Sequence, residues 1–587
     1  MSRASAAGTH TAGWGIAWSH EDHIHDALPP IRERSPAVAP ENTPPHPQQE
    51  TKQDTAHAPV GRLRTAAQRR AKLAEQARAE QEAVERHESG RGHRFQDSVL
   101  SHLTLRMGWF ALAWAGLIVV LLLPTGPDLP LAAKQALAIL VFAVIMWVTE
   151  AVSYAVSSIM ILGLIAVMLA FAPPATGEGN TAMGTAASLK LALGGFASPA
   201  VALVAAALAL AAAMQATGLH KRLALLVLRF AGEKTRNILI GAIVISIILA
   251  FFVPSATARG GAVVPILLGM VAAFGLQANS KLGALLIITA AQSISIWNIG
   301  IKTAAAQNQV AIGFIRDQMH TDVPWGQWFL WAAPWSALMS VALYFIMRWA
   351  IKPEVEEIRG GKEMIRQELA KLGPITGKEI RLIVVSVLLL LMWSTEDVLH
   401  PFDSTTTTLV AIGVLLTPRI GVFSWKTVEK LINWGTLIVF AVGISLGSLL
   451  LSTGAAAWLS ERTFGALGLA HMPILAMIAI VTAFTILIHL GFASATSLSS
   501  ALIPVFIALA MSIPNAAQGG LGFVIIQQFV ISFGFLLPVS APQNMLAYGT
   551  GAFTAKQFLK VGIPLTIVGY LLIMLFSATY WSWLGLV

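Results

Sequence analysis

Two stretches of this chain share one pattern: Pro254-Ser-Ala-Thr-Ala-Arg259 and Ala493-Ser-Ala-Thr-Ser497. In both copies a proline, Pro265 or Pro504, stands ten residues after the serine, and the two serines lie 239 positions apart. Other pairs occur in the same order at nearly the same distance: Thr217-Gly218 with Thr453-Gly454, Gln307-Asn308 with Gln543-Asn544, and Trp147-Val-Thr-Glu150 with Trp393-Ser-Thr-Glu396. These matches indicate a duplicated half. In an apolar chain, halves with polar interruptions at corresponding places are typical of secondary transporters whose binding site lies between the repeats.

The composition indicates a protein that crosses a membrane many times. Of the 587 residues, 56% are hydrophobic and only 12% are charged, and the mean hydropathy is +0.69. A soluble domain carries about 25% charged residues. The chain has no cysteine, which excludes disulfides and thiolate metal sites. The formal charge of +9 is concentrated in the N-terminal tail and in particular loops, so it indicates membrane topology, and no nucleic-acid partner is expected.

The first hundred residues differ in composition from the rest. Residues 1–60 are rich in Pro, His, Thr and Ala without a sustained apolar period, which predicts a disordered tail. Residues 61–104 are dense in Ala, Arg, Gln and Glu, which predicts a charged helical segment on the cytoplasmic side. The first apolar run begins near Met107, so no secretory signal peptide is predicted.

Apolar runs follow, and most approach the length of about 20 residues that a helix needs to cross a bilayer. They predict eleven spans, near 107–124, 131–150, 153–172, 195–216, 281–299, 326–350, 380–397, 405–421, 434–453, 521–540 and 561–583. Two more apolar stretches, 236–274 and 473–511, carry the Ser-Ala-Thr motif at their middles. We expect these to be re-entrant hairpins, because proline and small polar residues break a helix. The first repeat then covers 105–351, a cytoplasmic linker 352–379, and the second repeat 380–587.

The basic residues predict the orientation of the chain. Lysine and arginine cluster in the tail, in 220–236, in 352–381, in 419–430, and at Lys556 and Lys560. With eleven spans and a cytoplasmic N-terminus, all of these groups fall on one side, as the positive-inside rule requires. We therefore expect a multi-pass protein of the cell's inner (plasma) membrane, surrounded by membrane lipid, with its N-terminus in the cytoplasm.

The tips of the two hairpins form the predicted substrate site. An anion that crosses a membrane needs hydrogen-bond donors in place of water, and helix N-termini supply backbone N–H groups and a positive dipole end. The side-chain hydroxyls add further donors, so the predicted substrate ligands are Ser255, Thr257, Ser494 and Thr496. The alternative is that these residues only pack helices, as serine and threonine often do in membranes.

A second polar segment follows each hairpin, from Gly300 to Asn308 and from Pro538 to Asn544. We expect each to be the unwound part of a crossing helix, where free carbonyls, beginning at Gly300, suit a hard cation. Asn308 and Asn544 are candidates either for bracing this loop or for binding substrate, and Ser540 is a candidate for the coupling-ion region.

Three titratable residues near these segments have open roles. Glu150 and Glu396 end apolar spans beside a tryptophan, which favours anchoring at the membrane interface over a proton relay. His489, just before the second tip, is either a packed neutral side chain or a proton site.

These residues resemble the divalent anion:sodium symporter family, which carries dicarboxylates, citrate and sulfate. The resemblance covers residues 105–587 and rests on the twin Ser-x-Thr tips, the Trp-x-Thr-Glu segments and the run Ser532-Phe-Gly-Phe-Leu-Leu-Pro538-Val-Ser-Ala-Pro-Gln-Asn544. The first tip is most similar to the branch of dicarboxylate or citrate exchangers. The resemblance implies an all-α polytopic membrane protein, an inverted-repeat transporter with a scaffold domain and an elevator-type transport domain, assembled as a homodimer.

The chain departs from the family in the coupling-ion region. The family's tips usually read Ser-Asn-Thr, in which the asparagine helps to hold carboxylate and sodium, and alanine replaces it at Ala256 and Ala495. Arg259 is a candidate to bind a carboxylate instead, or to be an anchor on the cytoplasmic side. Lys302 corresponds by the repeat to Pro538, and its ammonium would take the place of a bound cation unless it reaches the interface. Sodium is the one cofactor considered, and we expect a weaker requirement for it than in the family.

The expected function is secondary active transport. The chain would be a permease for divalent organic anions such as C4-dicarboxylates, 2-oxoglutarate or citrate, working by cation symport or anion exchange. The alternatives are a permease for sulfate or another inorganic anion, and an anion sensor that does not transport. An enzyme is not expected, because the sequence has no His-Glu-x-x-His motif, no Walker loop and no thiol nucleophile.

Overall fold

The computed structural model describes residues 106–124, 126, 129–174, 181–273, 275–357, 360–469, 472–512 and 520–587. The predicted disordered tail, residues 1–60, and the predicted charged segment, residues 61–104, lie outside these described residues. Within the described ranges the regular secondary structure is helical, with two isolated backbone bridges and no sheet. The prediction of an all-α chain is therefore confirmed.

The described part of the first repeat forms eleven α-helices. They are α1 Arg106–Leu122, α2 Leu131–Thr149, α3 Tyr154–Met168, α4 Thr185–Leu193, α5 Pro199–Thr217, α6 Leu219–Ala231, α7 Thr235–Phe252, α8 Ala256–Ala273, α9 Lys281–Gly300, α10 Ala306–Met319 and α11 Trp325–Ala350. Short 3₁₀ helices lie at Leu169–Phe171, Gly194–Ala197 and Lys302–Ala304.

The linker and the second repeat contribute twelve more α-helices in their described ranges. They are α12 Gly361–Lys371, α13 Gly377–Ser394, α14 Ser404–Leu416, α15 Trp425–Leu431, α16 Trp434–Ser452, α17 Ala455–Thr463, α18 Ile474–His489, α19 Ala495–Met511, α20 Gly520–Ile531, α21 Pro542–Tyr548, α22 Ala555–Ala578 and α23 Tyr580–Trp583. Further 3₁₀ helices lie at Gly465–Leu467 and Pro538–Ser540.

The helices confirm a polytopic membrane protein. Nine stretches of helix in the described residues are long and apolar enough to cross a membrane, namely α2, α3 with the 3₁₀ helix after it, α5, α7, α8, α9, α11, α16 and α22 with α23. Each of the eleven predicted spans overlaps an apolar helix of this chain. Boundaries differ where proline intervenes: span 405–421 is too long, because α14 ends at Leu416, two residues before Pro418.

Both predicted hairpins are present as helix pairs joined at the Ser-Ala-Thr motif. α7 ends at Phe252 and α8 begins at Ala256, while α18 ends at His489 and α19 begins at Ala495. Two such tips, at equivalent places in the two repeats, bring four helix ends into the interior of the molecule.

The helix α9 lies at the centre of the fold. All of its apolar window is buried, and it packs against α7, α8 and α11. It begins after Ser280, whose hydroxyl accepts a hydrogen bond from the Gly283 N–H, and it ends at Gly300. A Cβ at Gly300 would lie 2.9 Å from the Ser336 hydroxyl and 2.9 Å from the Trp297 ring. Only glycine therefore fits at this helix break without displacing its neighbours.

We assign the helices to two groups, which also pack against each other, α19 against α16 and α10 against α5 and α16. The hairpin unit contains α7–α11 and α18–α22, and the outer group contains α2–α5, α13, α14 and α16. The helices α6 and α17 connect the outer group to the hairpins in the two repeats. Each of them follows a glycine in the left-handed region, Gly218 with φ +75° and Gly454 with φ +77°. This conformation explains the repeated Thr-Gly pair, since glycine adopts it without strain.

Candidate anion-binding site

A cavity of about 960 Å³ lies between the hairpin tips and the outer group, and we call it the central cavity. Its volume is typical of sites for small molecules, roughly 300–1,000 Å³. The wall contains the tips, residues next to the helix breaks, and parts of α5 and α16, and its most exposed residues, which mark the mouth, include Gln215, Lys221, Leu431 and Asn433. All four predicted hydroxyl ligands line the cavity, namely Ser255, Thr257, Ser494 and Thr496.

Each tip presents a helix N-terminus to the central cavity. The helices α8 and α19 begin directly after Ser255 and Ser494. Each serine hydroxyl oxygen accepts a hydrogen bond from the backbone N–H three residues further on, at 3.3 Å for Ser255 and 3.2 Å for Ser494. A hydroxyl that accepts in this way still has its own O–H to donate. The tips therefore direct two positive dipole ends and several donors toward one space, which suits an anion.

The predicted asparagines do not line the central cavity; they brace the helix breaks. Asn308 Nδ2 donates to the carbonyls of Asn298 at 2.7 Å and Ile301 at 3.3 Å, and Asn544 Nδ2 donates to the carbonyl of Gly534 at 2.7 Å. Both side chains are buried. A helix that breaks inside a membrane leaves carbonyls without intrahelical partners, and these side-chain amides satisfy them.

The glutamine before each asparagine reaches the cavity instead. Gln307 and Gln543 both line it, and the Nε2 of each donates to a serine of the other repeat, Ser532 at 3.2 Å and Ser295 at 3.0 Å. Ser540 also lines the cavity, and its buried hydroxyl has no partner among the described residues. The repeated Gln-Asn pair marks both positions in the sequence, but the asparagines rather than these glutamines were the predicted ligands.

Arg259 lies behind the first tip rather than in the cavity wall. Its side chain is completely buried, and Nη2 donates to Asn298 Oδ1 and, at 2.9 Å, to the carbonyl of Ala304. Nε and Nη1 have no partner within the described part of the chain. Arg259 is one helical turn from Ser255, about 6 Å along the axis. A guanidinium with unused donors is thus held behind the site, and its burial excludes the role of a surface anchor.

Lys302 does not face the central cavity, contrary to its expected place in the coupling-ion region. Its Nζ donates to the carbonyl of Val323 at 2.7 Å and lies 3.9 Å from Glu396 Oε2. The side chain is buried, so it does not reach the interface either. In this conformation the ammonium cannot replace a cation at the tips. It is held away from the central cavity beside Glu396, a residue far from Lys302 along the chain.

The two glutamates that end apolar spans have different surroundings. Glu396 is buried and accepts hydrogen bonds from the backbone N–H groups of Trp325 and Ser404, both at 3.1 Å, so the expected interfacial anchoring is wrong for this residue. Glu150 is exposed and accepts a hydrogen bond from the Tyr154 hydroxyl at 2.6 Å, which fits an anchor at the interface.

The remaining predicted positions lie at the tips or beside them. Ala256 and Ala495 line the central cavity and present methyl groups where an amide was expected from the resemblance. His489, at the end of α18, also lines the cavity; it is buried, and its Nε2 has no partner among the described residues. Both readings of this histidine, packed side chain and proton site, are compatible with that position.

Known proteins are similar over the same part of the chain. The family described as the sodium:sulfate symporter transmembrane region matches residues 106–587. A Cupriavidus necator protein named only as a membrane protein is 49% identical and aligns with 82% of this chain and 94% of its own length. The L-tartrate/succinate antiporter of Escherichia coli K12 is 27% identical over 74% of this chain and 88% of its own length. The citrate/succinate antiporter of the same strain is 26% identical over 68% and 81%.

The family match covers most of the chain, and the family consists of transporters rather than enzymes. This chain therefore belongs to the sodium:sulfate symporter family, the divalent anion:sodium symporters that its motifs resemble, and it is a polytopic membrane transporter of a small anion.

Proposed function

We propose that this protein exchanges dicarboxylates or citrate across the bacterial inner membrane and that the exchange does not require sodium. The observation that carries the proposal is the central cavity, where two helix N-termini with free hydroxyls meet beside the methyl groups of Ala256 and Ala495. The relatives named as tartrate/succinate and citrate/succinate antiporters support the same substrate class and the same mode of transport.

The twofold character of the cavity favours a dicarboxylate over sulfate. The repeat supplies two equivalent sets of donors, one around Ser255 and one around Ser494, so an anion with two separated carboxylates engages both. A sulfate ion is compact and carries its charge on one tetrahedral group.

The buried guanidinium of Arg259 favours exchange over symport. It travels with α8, and its unused donors leave its charge only partly compensated. Moving a poorly compensated charge through the interior of a membrane protein is costly. A substrate carboxylate at the neighbouring tip offsets part of this charge. The loaded carrier therefore reorients more readily than the empty one, and this is the condition for exchange.

Transport in proteoliposomes tests the proposal. We expect fast uptake of labelled succinate only when the vesicles contain succinate or malate, with the same rate when external sodium is replaced by choline at fixed pH. Uptake that is abolished in choline would show sodium symport. Binding of anions without any flux would show a sensor. A competition panel of succinate, malate, 2-oxoglutarate, citrate and sulfate identifies the substrate class, and strongest competition by sulfate would favour the inorganic alternative.

The same proposal includes the expected assembly and orientation. We expect a homodimer, which the mass of the detergent-solubilised protein after subtraction of bound detergent would establish. We also expect an N-terminus in the cytoplasm, which digestion of an N-terminal tag in vesicles of known orientation would establish.

A further inference from the structure

The central cavity opens at one end of α5, and a far smaller cavity lies at the other end. Gln215 is at the mouth of the central cavity, whereas Pro199 lines the small cavity of about 20 Å³. A helix rises 1.5 Å per residue, so these two positions are about 24 Å apart. The small cavity holds no more than a water molecule or so. The central cavity therefore opens at the face that the basic residues predict to be cytoplasmic, and we call the face at the small cavity, where Lys302 and Glu396 are buried, the closed face.

Lys302 and Glu396 form a buried ion pair at this closed face, and they come from different packing groups. Lys302 lies in the break between α9 and α10 of the hairpin unit, and Glu396 follows α13 of the outer group. Nζ lies 3.9 Å from Oε2, and each side chain is only 6% exposed. A second ion pair of this face, Arg316 with Asp322, is more exposed and lies wholly within the hairpin unit.

The Glu396 carboxylate also accepts hydrogen bonds from both groups. Oε2 accepts from the Ser404 hydroxyl at 2.7 Å and from the Trp325 N–H at 3.1 Å, and Oε1 accepts from the Ser404 N–H at 3.1 Å. Ser404 is the first residue of α14 in the outer group. Trp325 is the first residue of α11 in the hairpin unit, and the residue before it, Pro324, supplies no side-chain cap. One carboxylate therefore caps a helix of each group.

These contacts stabilise the arrangement in which the two groups meet at the closed face. A charge buried without its partner is costly, so neither Lys302 nor Glu396 is easily withdrawn while the face stays dry. A transporter that exposes its site alternately to the two sides must open this face in its other state. Movement of the hairpin unit would carry Lys302 and Trp325 away from Glu396, while Ser404 would stay beside it.

We propose that Lys302 and Glu396 form a latch that keeps the face opposite the mouth closed and separates when the hairpin unit moves. The latch positions the hairpin unit and does not bind substrate, since neither side chain lines the central cavity. Its strength sets the balance between the two states. The proposal rests on transport by the family and on no particular substrate, so its test is independent of the substrate class proposed above.

The absence of native cysteine allows a direct test of this balance. Leu203→Cys places a thiol in the lining of the small cavity, and Leu208→Cys places one in the lining of the central cavity. A membrane-impermeant maleimide is added to vesicles from either side, in otherwise native protein and in Glu396→Gln, Lys302→Met and Lys302→Arg. Lys371→Gln is the control, because it breaks an exposed ion pair within the single helix α12.

We expect either single substitution to raise labelling of Leu203→Cys from the closed face about fivefold and to lower labelling of Leu208→Cys from the mouth, as a shift between two states requires. Lys302→Arg keeps the positive charge and should leave both rates near native values, and the control Lys371→Gln should leave them unchanged. Native labelling in both single variants, or an equal change in Lys371→Gln, would overturn the proposal. If the charge variants do not fold, Glu396→Asp keeps both charges and withdraws the carboxylate from Lys302 by one methylene group; it should shift labelling in the same direction, and no shift would also overturn the latch.

Discussion

A serine hydroxyl at a helix N-terminus can serve two partners at once. Ser255 and Ser494 accept a hydrogen bond from their own helices, and each O–H group remains available to donate to a partner in the central cavity. The threonines two residues later, Thr257 and Thr496, line the cavity without such a capping bond. The serines cap their helices in addition to their proposed contact with substrate, so substitution of the threonines tests substrate contact without loss of a helix cap.

Thr257→Ala and Thr496→Ala should each raise the half-saturating substrate concentration about tenfold. The physical reason is the loss of one hydrogen bond to a charged group, worth about 1.5 kcal/mol or somewhat more. Initial uptake rates measured over a range of succinate concentrations give this value, and the maximal rate should change less.

Thr289→Ala is the matched control for these two variants. Its hydroxyl donates to the Leu285 carbonyl within α9, and the residue is buried away from the central cavity. Unchanged half-saturation is expected for this variant. Native affinity in both tip variants, at normal expression, would show that the hydroxyls of the tips do not bind substrate.

At the scale of helices, features that depend on neighbouring residues could be predicted from the sequence, whereas contacts between residues far apart in the chain could not. The hairpins follow from prolines and small polar residues inside apolar runs, and the order of the spans follows from hydropathy. The direction of Lys302 depends on Glu396, which is far away in the chain, so no local pattern reveals it. The sequence also did not show that Gln307, rather than Asn308, lines the central cavity. Neighbouring residues point about 100° apart around a helix, and after an unwound segment the sequence does not reveal which of them faces the cavity.

Glu354 connects the segment after α11 to the start of α9. Its carboxylate accepts hydrogen bonds from the N–H groups of Lys281 and Leu282, at 2.7 and 2.9 Å. Partial burial alone would raise the pKa of Glu354, but these N–H groups outweigh it and hold the pKa below its usual value. The stabilisation is therefore complete above the usual pKa and is lost as the pH falls through the lowered folded-state pKa.

Glu354→Gln should accordingly lower the unfolding temperature at pH 7, and its difference from the native protein should shrink as the pH falls below about 4. Thermal unfolding in detergent, measured at pH 7 and at a pH below about 4, gives this difference in unfolding temperature. Glu363→Gln, on the exposed surface of α12, should have little effect at either pH. An equal deficit of Glu354→Gln at both pH values would show that the carboxylate charge is not the cause.

At the scale of the whole molecule, the two repeats share a backbone plan but not a charge pattern. Arg259 corresponds to Leu498, and Lys302 corresponds to Pro538, so the buried arginine and the buried lysine of the described residues both belong to the first repeat. The donors of the tips are therefore nearly symmetric, while the fixed positive charge lies on one side. In the proposed dicarboxylate site, the carboxylate at the Ser255 tip would lie nearer to Arg259 than the other carboxylate, so an unsymmetric dianion such as malate would have a preferred orientation.

Deletion of residues 1–60 should leave exchange intact. The family match begins at residue 106, and the site, the helix breaks and the latch all lie within it. Uptake per inserted molecule, measured in proteoliposomes beside the full chain, should be unchanged. A deletion extended through α1 is the control, because Trp114 packs edge-on against Phe142 of α2 and Ala113 and Leu117 are buried in the same cluster. This longer deletion should impair folding. If the shorter deletion inserts normally but does not exchange anions, the tail takes part in transport and the boundary of the functional unit must be moved toward the N-terminus.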